Sequence, residues 1–136
     1  MMNTLTILFL VALAAMLITE LWLGRRQILS VRQHRDAVPG AFSEQIDLAT
    51  HRKAADYTIA RTRLGLISGF YSAAILLMFT LGGGLQQIDD LSRQWLENPL
   101  LTGVVFIVLT IIIGAVLDLP FTLYKTFGLE ARFGFN

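Results

Sequence analysis

The chain has 136 residues, 54% of them hydrophobic and only 15% charged, where an ordinary soluble domain carries about 25% charged residues. A single small core cannot take up that apolar excess, but lipid can. The formal charge of +1 leaves no surplus for gripping nucleic acid, and the absence of cysteine removes disulfides, thiolate metal sites and cysteine nucleophiles.

In chain order, the first predicted element is a membrane span over residues 4–23. Its only ionisable residue is Glu20, near one end, and at about 1.5 Å per residue it crosses ~30 Å of hydrocarbon. Ala12-Leu13-Ala14 imitates a signal-peptidase site. Met1 to Thr6 lacks the positive charge that a signal peptide puts before its apolar core, however, and the apolar run continues well past Ala14. A retained span is the better reading.

The connection 24–63 begins with a basic segment, Arg25 to Arg35, and turns at Pro39-Gly40. Ser43 is positioned to cap a helix, and Phe42, Ile46, Ala49, Tyr57, Ala60 and Leu64 recur at helical spacing. An amphipathic helix leading into the second span is therefore expected. It either rests on the membrane surface or docks against a partner domain. Glu44, Asp47 and His51 share one face of it at i, i+3 and i+7, a spacing that superficially suits a metal ion. Polar residues on the wet side of such a helix are expected without any metal, so none is assigned, and His34 is the only other histidine.

The second span is expected over 64–85, closing at Gly82-Gly83-Gly84, where glycine permits the backbone angles of a helix end. Within it Gly65, Gly69 and Ala73 recur every four residues. The pattern marks either a helix-packing seam or the ordinary use of glycine in membrane helices. In the loop 86–99, Ile88, Leu91 and Trp95 keep i, i+3, i+7 spacing, which predicts a short surface helix. The third span, 100–119, is bracketed by Pro99 and Pro120, and its length decides for helix over a buried strand. The tail, 120–136, holds Phe121, Tyr124, Phe127, Phe133 and Phe135, rings that need cover.

Orientation follows from basic residues near the spans. The connection 24–63 carries Arg25, Arg26, Arg32, Arg35, Arg52, Lys53, Arg61 and Arg63, whereas the loop 86–99 carries Arg93 against Asp89, Asp90 and Glu97. The first connection and the tail are thus expected in the cytoplasm, with the N-terminus and the second loop outside. Trp22 and Trp95 then fall at opposite headgroup levels. The fold class is an all-α membrane protein of three transmembrane helices plus an amphipathic cytoplasmic helix. No complete catalytic constellation stands out from residue types and spacing.

The stretch Asp118-Leu119-Pro120-Phe121-Thr122-Leu123-Tyr124-Lys125-Thr126-Phe127-Gly128-Leu129-Glu130 and its continuation to Gly134-Phe135-Asn136 closely resembles the pattern LPF-x-x-Y-x-T-F-x-x-E-x-x-F/H-GFN of the integral-membrane CAAX prenyl proteases. These are zinc metallopeptidases of the gluzincin type. Ala54 to Arg61 is more loosely similar to the family's stretch before its second span. The resemblance implies that residues 1–136 form the N-terminal membrane region of such a peptidase, with the catalytic domain absent. In the family, zinc is held by an HExxH helix and a later glutamate, all downstream of the position of Asn136. No cofactor is therefore expected in this chain, zinc is expected in the parent protein, and the chain is expected to be a fragment. The family's helices enclose a chamber. By the resemblance Glu130, Asn136, Tyr124 and Asp118 are candidates for facing it or for anchoring the tail to the downstream domain. The implied partners are the lipid bilayer, that domain and membrane-associated protein or peptide substrates, in a bacterial inner membrane. The alternative is a freestanding small multi-pass scaffold or interaction protein without enzymatic activity.

Overall fold

The computed structural model describes residues 3–38, 40 and 47–134. The described residues form helices and connections, with no strand among them. Helix α1 is Thr4–Gln33, α2 Leu48–Thr80, α3 Gly84–Trp95 and α4 Pro99–Leu123; a π-helical stretch, Tyr124–Glu130, and a short α5, Ala131–Phe133, complete them. Among the described residues three helices are long and apolar enough to cross a membrane: Thr4–Gln33, Leu48–Thr80 and Pro99–Phe133. The protein is a multi-pass membrane protein of all-helical fold. Leu5, Ile18, Ile67, Leu100 and Ile111 are among many large apolar side chains that stay exposed, as they do where the solvent is lipid.

By contact the chain divides into two compact units: Met1–Phe70 with Lys125–Asn136, and Tyr71–Tyr124. In the first, α1 opens with Asn3, whose Oδ1 accepts the Thr6 N–H at 2.8 Å. Helix α1 does not stop where its apolar run does. It continues ten residues beyond Leu23, because Arg, Gln and Leu are good helix formers and no proline intervenes. Arg26 lies over the Trp22 ring at 4.9 Å, one turn away. Helices α1 and α2 approach closely at Gly24, where an added Cβ would sit 3.0 Å from Leu66.

The described part of α2 begins at Leu48. Asp47, itself outside the helix, caps it by accepting the Thr50 N–H at 2.8 Å, which also holds the Asp47 carboxyl below the usual carboxylate range. The expected cap at Ser43 and the helix positions Phe42 and Ile46 lie outside the described residues, but the non-helical Asp47 means that no single helix runs unbroken from Phe42.

In the second unit, α2 ends at Thr80, and the triple glycine acts as the sequence suggests. A Cβ at Gly82 would come within 2.6 Å of the Met78 carbonyl oxygen, and Gly83 has φ 83°. Helix α3 then packs against α4. Ser92 is fully buried with its hydroxyl donating to the Ile88 carbonyl at 2.8 Å, and the buried Thr102 donates to the Asn98 carbonyl at 2.9 Å. Asn98 caps α4, its Oδ1 accepting the N–H groups of Leu100 and Leu101 at 2.9 and 3.3 Å, with Pro99 in the first turn where it leaves no donor missing.

Pro120 does not end the third span, contrary to the expectation. Helix α4 passes through it to Leu123 and continues into the π-helical stretch. Proline within a helix deprives the carbonyl four residues back of its donor and splays the turn. Here the Tyr71 hydroxyl donates to the Leu117 carbonyl at 2.8 Å, and its ring lies against Phe121 at 4.8 Å, bracing that turn from outside.

Candidate functional site

The first unit gathers the charged side chains of the chain. After α1 ends, Arg35 reaches Asp56 on α2 with two parallel bonds, Nε to Oδ1 at 2.7 Å and Nη2 to Oδ2 at 3.0 Å, a bidentate fork that raises the Arg35 pKa above its ordinary value. Arg52 donates to Asp36 at 2.9 Å, and Arg35 also touches Asp36 at 3.3 Å. His51 donates from Nε2 to the His34 carbonyl at 2.6 Å, while His34 donates from Nδ1 to the Ser30 carbonyl at 2.8 Å. This network ties the connection after α1 to the start of α2.

Beside it lies an open groove of about 450 Å³, built from the end of α1, the first half of α2 and α5. Arg32, Arg35, Arg63 and Arg132 line it, with Asp56 as its one carboxylate. Asp56 is already matched by Arg35. Among the described residues no carboxylate pairs with Arg32, Arg63 or Arg132; Arg132 instead lies over the Phe133 ring at 5.5 Å. The rest of the wall is apolar: Ile59 is buried, Ala60 half-buried, and Phe133 meets Tyr57 edge-on at 5.6 Å.

Residue spacing alone assigns Arg32, Arg35 and Arg63 only to orientation and does not bring them together with Arg132. Arg32 and Arg63 are far apart in the sequence, and Arg132 sits in a tail whose rings were expected to need cover. Residues 124–133 of that tail are helical. Leu129 is buried at 3% exposure and Phe133 is half-buried, while the rings of Tyr124 and Phe127 remain exposed. Of the other candidate residues, Asp118 is exposed and accepts from the Thr122 hydroxyl at 3.2 Å, Glu130 is half-buried, and Asn136 lies outside the described residues. Gly65 meets nothing within 4 Å of an added Cβ, Gly69 meets only the Glu20 carboxylate at 3.1 Å, and Ala73 is buried. The first two helices thus come close at Gly24, against Leu66, and at Gly69, against Glu20.

The residues present do not suit zinc. Both histidines direct a ring nitrogen at a backbone carbonyl, Asp47 is occupied as a cap, Glu44 lies outside the described residues, and no three His, Asp or Glu side chains cluster among the described ones.

Residues 27–136 match a family model described as CAAX prenyl protease N-terminal, five membrane helices. Similar curated proteins include the CAAX prenyl protease 1 homolog of Mus musculus, 28% identical over 124 residues, and that of Homo sapiens, 29% identical over 126; each alignment covers 86% of this chain and 26% of the relative. The Caenorhabditis elegans homolog is 31% identical over 115 residues, covering 81% of this chain and 25% of its own length. The chain spans about a quarter of the length of the curated relatives it matches.

Proposed function

This chain belongs to the CAAX prenyl protease N-terminal family, and from that membership we propose that it is the membrane-embedded N-terminal module of a zinc metalloendopeptidase. In this reading it forms part of a membrane chamber around a catalytic site carried by residues downstream. Carrying the reading is the family match, which extends from Gln27 through most of the basic connection, both later spans and the tail. Zinc and the peptidase chemistry belong to the downstream part, in keeping with the poor fit of this chain's own histidines and carboxylates to the metal. Asp118 and Tyr124, both exposed, and the half-buried Glu130 are the candidate contacts to that part or to a membrane-associated protein or peptide substrate, together with Asn136. The proposed setting is a bacterial inner membrane with the N-terminus outside. Eight basic residues in 24–63 against Arg93 alone in 86–99 support the orientation.

The test is the reading frame beyond Asn136 and the product it encodes. An HExxH motif downstream, with chelator-sensitive endopeptidase activity in membranes that falls when Glu130→Ala is introduced while membrane insertion is retained, is the expected result. A stop codon directly after Asn136 would overturn the proposal in favour of a freestanding scaffold. Full activity of the Glu130→Ala variant would remove Glu130 from the site.

A further inference from the structure

The groove between α1, α2 and α5 is richer in guanidinium than the ion-pair network beside it can use. Arg35 is matched by Asp56, so Arg32, Arg63 and Arg132 remain as three fixed positive charges without a described carboxylate partner. They come from three separate elements and face one volume of about 450 Å³, large enough for a headgroup. Like charges gathered this way repel one another unless an anion sits among them.

Ile59, Ala60 and Phe133 also line the groove, so it offers an apolar surface beside its cations. Its position along the chain matters equally. Arg63 directly precedes Leu64, the first residue of the apolar part of α2, and Arg132 stands near the end of the helical run that continues the third span. A ligand with its anionic group in the groove would have acyl chains adjacent to the lipid-facing helices. Guanidinium groups match phosphate oxygens with two parallel donors each, and basic pockets between membrane helices are the usual recognition chemistry for anionic headgroups.

We infer that Arg32, Arg63 and Arg132 form a binding site for the phosphate of an anionic membrane phospholipid. The site needs no catalytic part, so it stands or falls separately from the peptidase reading.

The chain, purified in a neutral detergent, is titrated with phosphatidylglycerol, phosphatidylcholine or inorganic phosphate, and retained ligand is read by native mass spectrometry. One phosphatidylglycerol should be held in preference to phosphatidylcholine. Arg63→Gln and Arg132→Gln should each weaken retention about tenfold, the loss expected for one charge-assisted hydrogen bond. Arg63→Lys, which keeps the charge and the fold, should fall between wild type and Arg63→Gln, and Arg93→Gln in the second unit should change nothing. Helix content by circular dichroism identifies any variant that fails to fold, in which case the lysine variant decides. Equal retention by wild type and the folded variants, or equal retention of phosphatidylcholine, would overturn the site. Displacement of the lipid by millimolar inorganic phosphate or by a soluble acidic peptide would overturn it in favour of a soluble anion.

Discussion

The two compact units of this chain are held by different kinds of interaction. Of the eleven basic residues, all but Arg93 lie in the first unit, whereas the second carries Asp89, Asp90, Glu97 and Asp118. In the second unit the side-chain bonds are mostly short in sequence: Asn98 caps its own helix, Ser92 and Thr110 donate to carbonyls four residues back, and Arg93 pairs with Asp89 one turn away. The first unit adds bonds between separate elements, Arg35 to Asp56, Arg52 to Asp36 and His51 to the His34 carbonyl, and the Tyr57–Phe133 ring pair joins α2 to the end of the described chain. Apolar helices in lipid gain little from hiding apolar surface, so in the second unit local caps and van der Waals fit are joined by one long-range bond, from the Tyr71 hydroxyl to the Leu117 carbonyl. Where a chain emerges into water, specific polar pairs take over the task of fixing a connection.

The largest expected effect breaks or confirms the charge contrast. A reporter active only in the cytoplasm should be active when fused after Asp36 or Asn136 and inactive after Gln86. Activity at Gln86 would reverse the orientation derived from the basic residues. Next, Leu129→Ala should lower the stability of the first unit by about 3 kcal/mol, read as a shifted unfolding midpoint in detergent, because Leu129 is buried at 3% exposure. An unchanged midpoint would mean that the tail contributes nothing to this unit. Asn98→Ala should cost about 1 kcal/mol, the usual loss of a helix cap, with Asn98→Asp restoring most of it. The smallest effect separates two readings of glycine. Gly65→Ala should be neutral or stabilising by about 0.5 kcal/mol, since nothing lies within 4 Å of the added methyl and alanine is the better helix former. Gly24→Leu should be plainly worse than Gly65→Leu, because at Gly24 even a Cβ would be 3.0 Å from Leu66. Marked destabilisation by Gly65→Ala would extend a small-residue seam to that position.

How much was legible beforehand follows the same division. The three spans, the short helix containing Ile88 and Leu91, the glycine stop after the second span and the start of the third helix at Pro99 could all be read from runs, spacings and breakers. Each is decided within a few residues of itself. The continuation of α4 through Pro120 was not legible, because proline reads locally as a stop, and the bond from the Tyr71 hydroxyl to the nearby Leu117 carbonyl joins residues far apart in the sequence. The motif of the tail pointed to the family, yet motif spacing gave no hint that Leu129 is buried or that Arg132 shares a groove with Arg32 and Arg63.

By itself, then, the amino-acid sequence determined that this is an all-helical multi-pass membrane protein with most of its basic residues gathered in one connection, because length, hydropathy and charge act locally and additively along the chain. Only the tertiary structure decided which arginines are matched and which are left facing a common space. That outcome depends on the end of α1, the first half of α2 and α5, remote in sequence, meeting at one place, and no local rule of composition or periodicity specifies such a meeting.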